Sequence, residues 1–268
     1  MIRTDERQPA TEAAEKVVVV HQRLVEFLQA GQTLAQVDAF VADTLRDLGA
    51  KSAFLGYRTG RYPRFPSHAC LSVNDVIVHG TAGMSVDPLE PGDVFSIDIG
   101  VIYRGWIGDA AWTYVIESAD EERTRLCRCG IEALQRGVEE LRPGQPLLDW
   151  ARAVQTLVED DYSFHCVEGL GGHGYGRKLH HSPYVSNRVP IFPSEWPDAN
   201  VRLRPGMLLA VEPMVAIGTG QLKQTERQWP IRTADGSLSV HYEHDVLIDE
   251  SGPIVLTREL ESLPMIVG

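Results

Sequence analysis

Cysteine is scarce in this chain of 268 residues: Cys70, Cys127, Cys129 and Cys166 are the four, and no two of them form a C-x-x-C pair. That spacing argues against a zinc knuckle or a disulfide framework and leads us to expect free thiols. Long apolar runs are also missing. The start, Met1 to Arg7, is polar and charged, and Val17 to Val20, the longest early apolar stretch, is far too short for a signal core or a membrane span. A cytoplasmic protein without membrane attachment is the expectation. Positive charge is short as well, with 25 Lys and Arg against 37 Asp and Glu and a net charge of −12, which disfavours broad attachment to nucleic acid or anionic membrane. An apolar content of 43% suffices for a large core, in one big domain or two small ones.

Against that background, four carboxylates and one histidine, Asp98, Asp109, His173, Glu212 and Glu243, sit at the ends of short apolar, strand-like runs that contain no Lys or Arg of their own. Burying one ionised carboxylate costs several kcal/mol unless it is paired or binds a metal. A pair of divalent metal ions would neutralise all four.

The runs Asp93 to Gly100 and Ile107 to Val115 read as two strands joined around Tyr103-Arg104-Gly105. A turn centred between Tyr103 and Arg104 places Asp98 directly opposite Asp109; opposed like charges destabilise a hairpin, so the arrangement makes sense around a cation. A bulge at Gly100 or Gly105 would instead shift the register and leave one aspartate in solvent.

An internal repeat supports convergence. Leu89-Glu-Pro-Gly92 introduces the strand ending in Asp98, and Leu203-Arg-Pro-Gly206 introduces Met207 to Glu212, with nine residues from leucine to carboxylate in both and an offset of 114. Gly31-Gln-Thr-Leu34 and Gly144-Gln-Pro-Leu147 each precede an amphipathic helix at an offset of 113. We therefore expect one catalytic domain over 1–268, with halves at about 13–117 and 118–250 and a short polar segment 1–12, and expect Asp98 and Glu212 to approach one another at the pseudo-twofold axis.

The element order agrees. Helices are expected at Glu12 to Ala30, from a Thr33/Gln36 capping box to about Gly49, from a Ser118/Glu121 capping box to before Pro143, and at Leu147 to Asp160. Strands are expected at Ala69 to Asn74, Val76 to His79, the Asp98/Asp109 hairpin, the Glu212 run and Ser237 to Ile248. Each half reads as helix, helix, then antiparallel strands, an α+β fold with helices covering one face of a curved sheet. On the last strand Ser239, His241, Glu243 and Asp245 share a face, with Tyr242 and His244 on the other.

The segments Asn74-Asp-Val-Ile-Val-His79-Gly, Ser96-Ile-Asp98-Ile-Gly, Gly108-Asp109, Gly172-His173-Gly-Tyr-Gly-Arg-Lys-Leu-His180, Val211-Glu212-Pro-Met-Val and Tyr242-Glu243-His244 together resemble type I methionine aminopeptidases, from about Ala13 onward. The resemblance implies the duplicated pita-bread fold and a dinuclear site. Asp98 would chelate one metal, Asp109 and Glu243 would bridge the pair, and His173 and Glu212 would complete the other; the ions could be Mn, Fe(II), Co or Zn. It implies that a metal-bridging hydroxide attacks the scissile amide and that Glu212 shuttles the proton. His180 would then hydrogen-bond the carbonyl oxygen, and His79 would contact the amide nitrogen. The substrates it implies are new polypeptides with N-terminal methionine and a small second residue. A transient ribosome contact stays open, and a monomer is expected.

Departures fall in the substrate pocket. Tyr57, Tyr62, Cys70, Leu179 and Trp229 occupy the regions that line the methionine side chain in relatives. Leu179 stands where an aromatic residue is common, Phe54 where a small one is expected, and the stretch from Tyr62 to Cys70 is longer than usual. Volume compensation between Leu179 and Phe54 would keep methionine accepted. Ser186 to Asn200, Pro-rich and containing Trp196, reads as a surface loop. His181 stands where relatives are often acidic and His241 where they often carry Gln. Neither is assigned a ligand role, although His241 shares the Glu243 face, where a contact to Asp109 or Glu243 competes with simple exposure. His244 reads as structural. The alternatives are a proline-type aminopeptidase of the same fold, or a non-catalytic binding relative, against which the retained ligands and histidines argue.

Overall fold

The computed structural model describes residues 1–60 and 62–268. A 3-10 turn at Thr4–Glu6 leads into α1 (Arg7–Phe27) and α2 (Leu34–Asp47), then β1 (Lys51–Ser52), β2 (Cys70–Val73), β3 (Val76–Val78), β4 (Val94–Tyr103) and β5 (Trp106–Ile116). The order then repeats with α3 (Glu121–Glu139), α4 (Leu147–Gln155), β6 (His165–Cys166), β7 (Gly171–Gly174), β8 (His181–Ser186), β9 (Leu208–Val211) and β10 (Met214–Ala216). The remaining strands are β11 (Leu222–Gln224), β12 (Ile231–Thr233), β13 (Ser239–His241), β14 (His244–Asp249), β15 (Gly252–Val255) and β16 (Ile266–Val267).

One five-stranded sheet is built on the long β4–β5 hairpin, with β1 and β2 along β4 and β16 beside β5. The other runs β15-β14-β9-β7-β8, and two three-stranded groups, β13-β10-β6 and β11-β12-β3, complete the strands. Among the described residues, pairing is antiparallel apart from β5 with β16. This is the α+β architecture expected from the sequence. Helix α1 packs on β4 and β5, and α3 on β10 and β13. Val17, Leu24, Ile97, Ile99 and Trp112 are buried in the core between α1 and the hairpin. The approach is close at Gly108, where a Cβ would lie 2.5 Å from the Ala13 carbonyl oxygen.

The internal repeat is physical. Gly31 N–H donates to the Leu89 carbonyl and Gly144 N–H to the Leu203 carbonyl, both at 2.8 Å. Leu89 N–H returns to Gln32 O at 2.7 Å, and Leu203 N–H to Gln145 O at 2.9 Å. In each half the two sequence motifs bind one another, clamping the entry of a helix (α2, α4) to the turn that launches a carboxylate-bearing strand (β4, β9).

Several local expectations are corrected. The hairpin turns on Arg104 and Gly105, both at positive φ (50° and 79°), so Tyr103 pairs with Trp106 and Asp98 with Ala111, while Asp109 faces Gly100. A two-residue loop with both positions left-handed matches strand twist, which is why the register settles two residues from the one expected. Direct opposition of the aspartates is therefore wrong, but an even slip keeps both on one face. Helix α1 begins at Arg7, five residues ahead of Glu12, because Arg7 Nη1 bonds Asp249 Oδ1 at 2.6 Å and the first turn is held by a distant strand. The cap of α3 is Asp120, accepting from Arg123 N–H at 2.8 Å, in place of Ser118. Thr33 and Gln36 do form the expected capping box of α2. Beyond Gln155 the expected helix to Asp160 continues as a π turn, Thr156–Asp161. The last strand is split at Tyr242 and Glu243, whose N–H groups turn to Pro213 O and Ala111 O.

Candidate metal centre and active site

The split strand explains how Glu243 reaches the other carboxylates. Its N–H donates to Ala111 O at 2.9 Å, and Ala111 is the ladder partner of Asp98. Two residues on, Asp245 Oδ2 accepts from Asp109 N–H at 2.9 Å. Two residues back, His241 N–H meets Ser96 Oγ and Thr113 Oγ1 at 3.2 and 3.1 Å, while Thr113 Oγ1 donates to His241 O at 2.8 Å. These bonds stitch the Glu243 segment to the hairpin. On the other side, His173 of β7 pairs with Ala210 of β9, two residues before Glu212.

Four strands and the β13–β14 break thus aim Asp98, Asp109, His173, Glu212 and Glu243 into one cavity of about 390 Å³. His173 Nε2 lies 3.7 Å from Asp109 Oδ2 and 3.8 Å from Glu212 Oε1. Its Nδ1 is 3.1 Å from the Gly174 carbonyl, so Nδ1–H donates there and leaves Nε2 a bare nitrogen facing the carboxylates. Burial and the neighbouring His180 push the His173 pKa down to about 3, keeping the ring neutral. The carboxyls move the other way. Burial lifts Asp98 to about 7, against the pull of His241 and with a smaller push from Glu212. Burial and mutual repulsion raise Asp109 and Glu243, and burial raises Glu212.

These groups fit divalent cations. Asp98 Oδ1 and Asp109 Oδ1 are buried without a hydrogen-bond partner, and among the described residues no Lys or Arg pairs with Asp98, Asp109, Glu212 or Glu243. Donor atoms of Asp109, His173 and Glu243 lie within 4.8 Å of one another, as do those of Glu212, His241 and Glu243. Oxygen-rich donors with an available imidazole nitrogen are the chemistry of Mn, Fe, Co and Zn sites.

The other expected residues surround this cluster. His79 and His180 line the same cavity with Tyr57, Cys70, Leu179 and Trp229. His180 packs edge-on to His173 at 4.3 Å between ring centroids, and its Nδ1 is 2.7 Å from Tyr57 Oη. Burial lowers the His180 pKa and, with His180 and His241 nearby, brings His79 to about 4. His79 sits at φ 58° and meets Trp229 edge-on at 5.9 Å. Tyr62 stands outside the cavity lining; its ring packs 5.1 Å from Trp229 and its hydroxyl donates to Gln224.

Other lining residues escaped the sequence reading. Phe65, delivered by the stretch before Cys70, is 3% exposed and packs edge-on to Trp229 at 5.2 Å and to Phe54 at 6.2 Å. Phe54 in turn lies over Gly100, where a Cβ would come within 2.4 Å of its ring. Nothing in the alternation of a Pro-rich loop marks Phe65 as inward. Tyr184 and Met214 also line the cavity. His241 proves to be a buried wall of it, not exposed, but its Nε2 comes within reach of Glu212 Oε2 at 3.2 Å in place of the expected Asp109 or Glu243, the latter standing at 3.9 Å. His244 turns away to Thr257 Oγ1 and Glu261. His181 bonds the Tyr175 and Ser182 carbonyls. Trp196, from the Ser186 to Asn200 stretch, is buried and donates to Tyr184 O, while Ile191 and Phe192 are exposed.

Comparison with known proteins points the same way. Residues 10–250 match the metallopeptidase family M24. The chain is 36% identical to a methionine aminopeptidase of Aquifex aeolicus, over 92% of this chain and 93% of that one. It is 35% identical to methionine aminopeptidase 1 of Bacillus subtilis over 92% and 94%. Among solved structures, the methionine aminopeptidase of Thermotoga maritima superimposes with a TM-score of 0.86 at 34% identity, covering 96% of this chain and 99% of that one. An Xaa-Pro dipeptidase of Bacillus anthracis shares the fold at a TM-score of 0.73 and 20% identity, but this chain spans only 61% of it.

Proposed function

The chain belongs to the metallopeptidase family M24, and from that premise we propose that it removes N-terminal methionine from polypeptides, through divalent metal ions held by Asp98, Asp109, His173, Glu212 and Glu243. The observation that carries this reading is the convergence of four buried carboxylates, two of them with an oxygen that has no partner, and a bare imidazole nitrogen beside an apolar aromatic pocket. When bound, two such ions would supply Lewis-acid polarisation of the scissile carbonyl and a hydroxide nucleophile at neutral pH.

The chain's own residues do the rest. Phe54, Phe65, Cys70, Leu179 and Trp229 belong to one apolar cluster that would take the unbranched methionine side chain and exclude water. Tyr57 donating its O–H to His180 Nδ1 leaves Nε2–H free to stabilise negative charge on the carbonyl oxygen. His79, neutral by burial, contacts the scissile amide nitrogen. Glu212, which lines the same cavity, takes the proton released on attack and returns it to the leaving amine. New polypeptides with a small second residue are the substrates this reading favours, and the cytoplasm is where they arise.

Hydrolysis of Met-Ala-Ser and Pro-Ala-Ser by metal-stripped protein, titrated with Mn, Fe(II), Co and Zn, tests the proposal. Release of methionine alone supports it. Preferential release of proline would move the site to the prolidase branch, and no turnover with any metal would overturn the enzymatic reading.

A further inference from the structure

Two imidazoles flank the Glu212 carboxylate on opposite oxygens. His173 Nε2 lies 3.8 Å from Oε1, whereas His241 Nε2 lies 3.2 Å from Oε2. The first distance is too long for a hydrogen bond and suits two donors around a common cation; the second is within hydrogen-bond reach. The other carboxylate oxygen near His241, Glu243 Oε2, stands at 3.9 Å, outside that reach. The His241 side chain is 3% exposed, and its backbone is held on both polar groups by Ser96 and Thr113, so the ring has a fixed origin.

We propose that His241 is a positioning residue whose Nε2–H donates to Glu212 Oε2. Glu212 would then be left with Oε1, the oxygen on the His173 side, to hold a cation, and would keep one orientation while it carries the proton. A flexible glutamate gains most from such a tether, because its terminal torsion is otherwise broad. The Gln often found here in relatives offers an amide N–H, which can make the same bond. This inference rests on the reading of Glu212 as ligand and proton carrier.

Two variants and one spectroscopic measurement test it. His241→Gln keeps a donor and should retain metal affinity and kcat near those of the parent. His241→Leu removes the donor and should lose about 10–100-fold in metal affinity or kcat, the range for partners that orient metal ligands, with KM for Met-Ala-Ser little changed. In the zinc-loaded parent, 15N-histidine NMR should find His241 Nε2 protonated. A bare or metal-bound Nε2 would overturn the proposal, as would a His241→Leu protein that matches the parent or a His241→Gln protein as impaired as His241→Leu. The functional reading fails separately: a parent protein that takes up no metal and releases no methionine removes the premise, whereas failure confined to the variants removes only the role of His241.

Discussion

Replacing Asp38 by alanine should loosen the wall of the proposed methionine pocket without touching any of the proposed metal ligands. Asp38, on α2, reaches the loop ahead of β2. Its Oδ1 accepts from His68 N–H at 2.6 Å and Ala69 N–H at 3.2 Å, and its Oδ2 faces His68 Nδ1 at 2.9 Å. This clasp fixes one end of the segment that carries Phe65, and Trp229 Nε1 donating to Pro63 O at 3.1 Å fixes the other. A hydrogen bond to a charged group contributes roughly 1.5–3 kcal/mol, and neighbouring bonds do not add in full. The whole clasp is thus worth about 3–4 kcal/mol, and urea unfolding of Asp38→Ala should show a loss of that size. With the loop released, Phe65 leaves Trp229, and KM for Met-Ala-Ser should rise about tenfold, equivalent to ~1.4 kcal/mol of lost binding. Turnover should hold, since the carboxylates and His173 lie on or beside other strands. A variant that loses the stability but keeps its KM would refute the idea that this clasp shapes the pocket.

Three further outcomes are expected. Burial holds the His21 pKa down to about 4 between Tyr114 Oη and Ala110 O, so the unfolded chain binds the extra proton below its ordinary pKa of 6.5; His21 should therefore cost about 1.4 kcal/mol per pH unit as pH falls from 6.5 toward 4, a slope that urea titrations should find reduced in His21→Gln. Gly100→Ala places a Cβ 2.4 Å from the Phe54 ring and should destabilise by about 1–3 kcal/mol, with part recovered in the Gly100→Ala, Phe54→Leu double variant in a thermal-melt cycle. Chelation should lower the melting temperature of the loaded protein: metal at 100-fold its Kd stabilises by about 2.7 kcal/mol per site, or roughly 5–10 °C at this chain length.

How far the sequence could be read depended on whether a feature was local. The carboxylate cluster was legible because short apolar runs ending in carboxylates violate the rule that buried charge is paired. The repeat was legible because each motif is a turn with its own hydrogen-bond partner, Gly31 with Leu89 and Gly144 with Leu203. Distant contacts were not. The start of α1 depends on Asp249, nearly the whole chain away, and the break at Tyr242 and Glu243 depends on Pro213 and Ala111. The hairpin register was misread by two because Arg104, a residue without a strong left-handed preference, takes positive φ beside Gly105. Phe65 lay hidden among prolines, since a loop residue's direction is set by what it meets, here Trp229 and Phe54.

The central claim is that these carboxylates and His173 form a site for two cations. Metal content of the purified protein, measured by mass spectrometry after equilibration with Mn, Fe(II), Co or Zn and removal of free ion, tests it directly. The account predicts two ions per chain with at least one of these metals and about one in Asp98→Ala. A parent protein that retains none, or an Asp98→Ala protein that retains as much as the parent, would contradict it.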